Sequence, residues 1–237
     1  MNEHTVKSFD QELQLLDKKV AQMGGLAERL LAHAFDALER RDPKLAENTV
    51  ASDRAVDQFE RELQEQTIQM IARRQPMAND LRHIMTVLKI AGDLERIGDL
   101  AKNIAKRALA VSGESHPKPL MTGLKHMVEL ALRQLKDVLD AYAELDADKA
   151  LGVWRQDERI DAMYNSIFRE LLTYMMEDPR NISFCIHLMF CAKNIERIGD
   201  HATNIAETVF YMIEGQQMLD KRPKGDMTTF ATTIPGN

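Results

Sequence analysis

The chain has 237 residues, of which 44% are apolar and 5% aromatic, and its formal net charge is −6. That length allows one large or two small domains with a sizeable core. An acidic surface repels nucleic-acid phosphates and argues against a general nucleic-acid-binding role. The chain opens without a basic or apolar segment, which argues against a secretory signal, and its longest nearly apolar run, 182–192, is too short to span a bilayer. We therefore expect a soluble, cytoplasmic protein.

The composition favours helices over sheet. Leu, Ala, Met and Glu are abundant, 14 residues are Met, and aromatic residues are scarce. The 11 Gly and 7 Pro residues are clustered, so each element is expected to be long. The predicted fold class is therefore all-α.

Three helices are predicted in the first half of the chain. The first follows an apolar seam whose spacing alternates between four and three residues, which is typical of a helical bundle: Phe9, Leu13, Leu16, Val20, Met23, Ala27, Leu30, Ala34 and Ala37. Pro43, directly after Asp42, predicts the start of a second helix over about 43–72. A third helix is predicted over about 77–111, and because it is apolar over much of its surface it should be the most buried.

A linker, three more helices and a tail are predicted in the second half. Gly113 and two prolines interrupt any helix over 112–119. Three helices then follow in the same order as before, over about 118–145, 148–176 and 180–214. The last residues, 216–237, have little periodicity, and we expect a flexible C-terminal tail there.

An internal repeat supports this division. The segment Glu-Arg-Ile-Gly-Asp at 95–99 recurs at 196–200, which is 101 residues further along. The segment 53–57 shares both of its aspartates with 157–161, which is 104 residues further along. We therefore predict a first three-helix repeat, a linker, a second three-helix repeat and the tail, with boundaries at 5–111, 112–119, 120–215 and 216–237.

Each repeat carries two pairs of acidic residues spaced four apart. Such pairs lie one turn apart on the same helix face, where like charges repel and cost roughly a few tenths of a kcal/mol. The pairs fall on the second and third helices, so four carboxylates converge in each repeat if those helices pack together. The predicted site residues are Asp53, Asp57, Glu95 and Asp99 in the first repeat and Asp157, Asp161, Glu196 and Asp200 in the second, with Asn103 and Asn204 as weaker candidates one turn further along.

Four converging carboxylates suit a hard divalent cation, and helical bundles are a known place for such sites. Oxygen ligands favour magnesium, manganese or calcium and do not exclude iron or zinc in a cluster. The chain contains no Glu-x-x-His, His-Glu-x-x-His or Cys-x-x-Cys motif, so the ferritin-like, zincin and thiolate-zinc signatures are absent. The alternative is a solvated acidic face that forms ion pairs with neighbours such as Arg61, Arg96 and Arg197.

Four further residues have simpler predictions. His201 follows Asp200 and is a weak candidate ligand, whereas His83 is expected to be a packed core histidine. Gly98 and Gly199 lie mid-helix, where glycine costs about 1 kcal/mol relative to alanine. A bare backbone at these positions lets a neighbouring helix approach closely.

The tandem Glu-Arg-Ile-Gly-Asp motif at 95–99 and 196–200, with Asp80-Leu81-Arg82 before the first copy, resembles the PhoU family. The two charged residues of the latter segment are expected to form a local ion pair at the helix start. The resemblance covers about residues 5–215. It implies two three-helix bundles related by pseudo-twofold symmetry. It also implies multinuclear metal sites on the eight carboxylates, with iron, zinc, manganese or magnesium as the metal.

The resemblance also implies a function. PhoU proteins limit phosphate uptake and act as negative regulators of the phosphate-starvation (Pho) response. They are thought to link the ABC phosphate importer, through its ATPase subunit, to the sensor histidine kinase of the two-component system. The resemblance further implies a homodimer that meets the membrane only peripherally, through these partners.

Three functions compete. A regulatory adaptor is favoured because the chain has no nucleophile–base–orienter set and no phosphate-cradling glycine loop, so no catalytic residue is predicted. A metal-dependent phosphate-ester hydrolase is the alternative, since two adjacent ions can activate water and hold a phosphoryl group. Against the hydrolase, two equivalent clusters lack the asymmetric groups expected of an enzyme pocket. A structural or metal-storage bundle is the third possibility.

Overall fold

The structure is a computed structural model that describes residues 3–113 and 118–218. Over these ranges the chain forms eight α-helices and no strand, which confirms the predicted all-α class. They are α1 (Glu3–Arg40), α2 (Pro43–Ser52), α3 (Arg54–Arg74), α4 (Ala78–Val111), α5 (Lys118–Glu144), α6 (Ala147–Arg155), α7 (Asp157–Glu177) and α8 (Ile182–Glu214), with a short 3-10 turn, Pro179–Asn181, before α8. Part of the predicted linker, 114–117, and most of the predicted tail, 219–237, lie outside the described residues.

The second helix of each repeat is interrupted once, where the sequence predicts a single continuous helix. In the first repeat the interruption is Asp53, between α2 and α3, whose dihedral angles remain helical (φ −57°, ψ −32°). In the second repeat it is Gln156, between α6 and α7 (φ −89°, ψ −2°). The chain passes from one helix to the next within a single residue, so each repeat keeps three helical rods. Each interruption lies at or beside the first aspartate of an acidic pair.

The middle rods of the two repeats begin with the same aspartate cap. Asp42 Oδ1 accepts a hydrogen bond from the Leu45 amide (3.0 Å), and Pro43 takes the first helical position, as predicted. Asp146 Oδ1 accepts the equivalent bond from the Lys149 amide (2.9 Å). Such a cap stabilises a helix by about 1 kcal/mol. The two caps are 104 residues apart, which is the spacing of the aspartate pairs on these rods.

Helices α4 and α8 form the centre of the molecule. Each packs on the other helices of its own repeat, and the two pack on each other. The pair is antiparallel, since Asp93 of α4 lies beside His201 of α8 while Arg107 lies beside Phe190. Helix α1 also packs on α5, so the two repeats share one continuous core. The sequence predicts that the third helix is the most buried, and α8 shares this position with α4. In the described part of the chain, every helix is too short or too polar to cross a membrane.

One polar cluster joins the two repeats near the end of α5. Tyr142 donates a hydrogen bond to Asp17 Oδ1 (2.5 Å), and His83 Nε2 lies 2.8 Å from the same oxygen. His83 is hydrogen-bonded and partly exposed, whereas the sequence predicts a packed core histidine. Burial, together with the Asp17 charge, raises the pKa of Tyr142 far above its ordinary range, so its hydroxyl stays protonated and donates. At the equivalent positions of the other repeat the side chains are buried and apolar: Leu38, Met121 and Phe184.

Candidate functional site

The acidic residues of the first repeat lie where α3 packs on α4. Asp53 and Asp57 come from the start of α3, and Glu95 and Asp99 come from the middle of α4. Gly98 makes the close approach possible, because a Cβ atom at this position would lie 3.2 Å from Asp53 Oδ1, in a tight contact. The predicted packing role of this glycine is therefore confirmed.

A lysine that the sequence reasoning missed lies among these carboxylates. Lys102 Nζ is 2.5 Å from Asp53 Oδ2 and 2.5 Å from Asp99 Oδ1, so one ammonium group joins the two helices. Arg96 lies further out, 3.5 Å from Glu95 and 3.8 Å from Asp99. The alternative prediction, an acidic face that forms ion pairs with neighbouring basic residues, therefore describes part of the observed arrangement.

In the first cluster, burial and neighbouring negative charges raise the pKa of two carboxyl groups. Burial raises the pKa of Asp53, the charges of Asp57 and Asp99 add to this, and Lys102 opposes it. Burial also raises the pKa of Glu95, again with help from Asp99. For Lys102, burial would lower the pKa, but its two carboxylate partners outweigh burial and hold the pKa above the ordinary value. Asp53 Oδ1 is buried, and no group in residues 3–113 or 118–218 forms a hydrogen bond with it.

The second cluster lies where α7 packs on α8 and is more deeply buried. Asp157, Asp161 and Glu196 are buried, and Asp200 is half-buried. Of the four acidic residues in the first cluster, only Asp53 is buried. A Cβ atom on Gly199 would lie 2.8 Å from Ile160 Cδ1 and 3.3 Å from Gln134 Oε1, so this glycine also permits a close helix approach.

Neutral groups take the place of the lysine in the second cluster. Thr203, which is 101 residues after Lys102, donates a hydrogen bond to Asp157 Oδ1 (2.9 Å). Its hydroxyl accepts one from Gln134 Nε2 of α5 (3.0 Å). All three side chains are buried. The same helical position therefore carries a cation in one repeat and a hydroxyl in the other.

A lysine also reaches the second cluster, but from the preceding turn of the helix. Lys193 Nζ lies 2.8 Å from Glu196 Oε1. Burial raises the pKa of Glu196, Lys193 lowers it, and the charges of Asp200 and Asp161 raise it further. Glu196 Oε2 is buried and has no hydrogen-bond partner in the part of the chain that the structure describes. The position equivalent to Lys193 in the first repeat is Gly92, so the two lysines are not counterparts.

The donor atoms of both clusters fit a hard cation. All are oxygens, and each cluster contains one buried carboxylate oxygen, on Asp53 and on Glu196, that receives no hydrogen bond from the described residues. In the described residues no three acidic, histidine or cysteine side chains are already grouped as metal ligands. Ion binding therefore requires side-chain movement. Of the weaker candidates, Asn103 is exposed and Asn204 is half-buried.

His201 and Arg82 both have partners in the structure, and of the two only Arg82 departs from its prediction. His201 Nδ1 lies 2.8 Å from Asp93 Oδ1 of α4, so this histidine joins the two repeats through Asp93. The Arg82 guanidinium lies 5.5 Å from the centre of the Tyr211 ring, at the end of α8, and within the described residues it forms no ion pair with Asp80. Both side chains take partners from the other repeat, which local spacing does not reveal.

The fold and the two clusters define a duplicated, all-helical protein with one acidic cluster in each repeat. A model of the PhoU domain matches the chain twice, at residues 20–108 and 124–209. The chain belongs to the PhoU family.

Named relatives cover nearly the whole chain. A phosphate-specific transport system accessory protein PhoU homolog from Rhizobium meliloti is 56% identical over 226 residues, 95% of each protein. The accessory protein PhoU of Escherichia coli is 40% identical over 216 residues, 91% of this chain and 89% of that protein. These relatives are named as transport accessory proteins and not as enzymes.

Solved structures support the same fold. The crystal structure of PhoU from Pseudomonas aeruginosa has a TM-score of 0.84 at 40% identity and covers 88% of this chain and 100% of that one. The phosphate transport system regulatory protein PhoU from Streptococcus pneumoniae has a TM-score of 0.81 at 28% identity, covering 89% of this chain and 99% of that one.

Proposed function

We propose that the chain is an accessory protein of a phosphate-specific transport system that limits phosphate uptake and restrains the phosphate-starvation response when phosphate is plentiful. The observation that carries this proposal is similarity over nearly the full length to relatives named as such accessory proteins. No catalytic step is assigned to it.

The proposed role is that of a cytoplasmic adaptor. It links the ATPase subunit of the ABC phosphate importer to the sensor histidine kinase, acts as a homodimer, and meets the membrane through these partners. Exposed apolar residues support a docking role. Leu81 and Met85 of α4 are partly exposed, and so are Ile182 and Ile186 of α8, 101 residues further along. The same two exposed apolar positions therefore occur in both repeats.

The proposal includes divalent cations at the two acidic clusters. The metal, whether iron, zinc, manganese or magnesium, would be held by the aspartate and glutamate oxygens of each cluster. It would supply positive charge that offsets four neighbouring carboxylates. The buried oxygens of Asp53 and Glu196 without hydrogen bonds support this assignment.

The regulatory proposal is tested by deleting the gene in its own organism. Alkaline phosphatase activity in phosphate-rich medium is expected to rise on deletion and to return to the parental level when the wild-type gene is restored. Unchanged activity after deletion would contradict the regulatory role.

The metal proposal has a separate test on purified protein. Elemental analysis is expected to show less bound metal in two double variants, Glu95→Ala with Asp99→Ala and Glu196→Ala with Asp200→Ala. Circular dichroism should show that both remain helical. Full metal content in both variants would show that the two clusters are not the metal sites.

A further inference from the structure

We infer that Lys102 is an internal counter-ion that competes with divalent cations for the first cluster and lowers the affinity of that cluster for metal. This inference rests on the proposed metal sites. It concerns the regulation of one of them by a residue of the chain itself.

The position of Lys102 is the first support. Its ammonium group lies within 2.5 Å of one oxygen from each of two packed helices, Asp53 Oδ2 and Asp99 Oδ1. A divalent cation bound by the same two carboxylates is attracted by the same negative charges, whichever oxygen of each carboxylate is its ligand. Two cations held by one pair of carboxylates repel each other, so the ammonium and the metal compete for the same carboxylates, and metal binding displaces Lys102.

The second support is the buried environment of the pair. Asp53 is only 3% exposed, and an ion pair to a buried carboxylate is screened weakly by water. Displacing Lys102 therefore removes a strong interaction before a metal supplies a new one. The four-carbon side chain of lysine is flexible, so its ammonium group can move to solvent without unfolding the helix.

The third support is the contrast with the second repeat. Thr203 occupies the equivalent helical position and is a neutral hydrogen-bond donor to Asp157. A metal at Asp157 competes with this hydroxyl contact. Lys193 acts on the second cluster from another position, on the Glu196 side. A lysine at this helical position is therefore particular to the first repeat.

Manganese titration tests the inference on the full chain after treatment with a chelator. The background is Glu196→Ala with Asp200→Ala, which leaves only the first cluster intact. In this background Lys102→Thr, which installs the residue of the second repeat, is compared with unchanged Lys102 by isothermal calorimetry. Lys102→Gln serves as a second neutral variant, and Lys106→Thr, one turn further along, is the matched control.

Both neutral variants are expected to lower the apparent Kd for Mn²⁺ by about tenfold or more, a factor that corresponds to 1.4 kcal/mol. Lys106→Thr, which removes the same charge from a lysine that lines the same cavity one turn further along, should lower it by less. Equal or weaker binding in a folded Lys102 variant, with measurable binding in the background protein, overturns this inference alone. No Mn²⁺ binding in any variant or in the wild type overturns the proposed metal sites as well. Binding that appears only after Lys102 is replaced supports the inference.

Discussion

The two acidic clusters occupy equivalent places in the two repeats, yet they are neutralised in different ways. In the first repeat the lysine ammonium lies between two helices, and most of the carboxylates are half-buried. In the second, three carboxylates are buried and the equivalent position is a threonine hydroxyl within a hydrogen-bond chain. The comparison shows that the helices fix the acidic positions, whereas the partner groups have diverged. The following three substitutions test how much each partner group contributes.

Replacing Lys102 by alanine should have the largest effect. The change leaves the buried Asp53 carboxylate without its cation, and breaking such a pair typically costs about 3 kcal/mol or more in free energy of unfolding. Because the lysine side chain is 23% exposed, we expect a somewhat smaller loss in the free energy of unfolding, about 2–3 kcal/mol. Urea denaturation of the metal-free protein at neutral pH measures it.

The control for this substitution is Lys106→Ala, which removes an exposed lysine from the next turn of the same helix. Its effect should stay within about 0.5 kcal/mol. A loss for Lys102→Ala no larger than that of the control would show that the short contacts to Asp53 and Asp99 contribute little to stability.

Replacing Thr203 by valine should have an intermediate effect. Valine has nearly the same shape but removes the hydroxyl that donates to Asp157 and accepts from Gln134. Losing buried hydrogen bonds of this kind costs about 1–2 kcal/mol. Thermal or urea unfolding measures the change, and Thr208→Val, at a half-buried position of the same helix, is the control. An increase in stability would mean that the hydroxyl is not needed to compensate the buried aspartate.

Replacing Lys193 by alanine should have the smallest effect. Its side chain is 39% exposed, so water screens its interaction with Glu196. Because Glu196 itself is buried, we place the contribution of the pair at the upper end of the range for exposed ion pairs, about 1 kcal/mol. We expect a loss in that range by urea denaturation, with Lys89→Ala, an exposed lysine of α4, as the control. A loss that equals or exceeds that of Lys102→Ala would reverse the proposed difference between the two clusters.

Much of the fold and the location of the acidic residues could be predicted from the sequence. Helix periodicity and the register of the repeat depend on local spacing, which the chain displays directly. The interruptions at Asp53 and Gln156 could not be predicted, because both residues lie within otherwise continuous helical patterns. Lys102 left a partial signal, since it lies three residues after Asp99 on the same helix face. Its contact with Asp53 depends on how two helices pack.

Contacts between the repeats were the hardest to predict. His83 pairs with Asp17 and Tyr142, and His201 pairs with Asp93. Each pair joins residues that are far apart along the chain. Their spacing carries no helical period, and their counterparts in the other repeat are different residues, so comparison of the repeats does not reveal them.

The antiparallel packing of α4 on α8 has a consequence for how such a molecule assembles. Because the two helices occupy equivalent places in their repeats, the surface that α8 covers on α4 corresponds to the surface that α4 covers on α8. A single repeat would expose a self-complementary apolar face, and two copies could close on each other around a twofold axis. Joining both copies in one chain makes this association intramolecular and independent of protein concentration. It also means that the two halves need not have identical sequences, so one cluster can contain a lysine and the other a threonine.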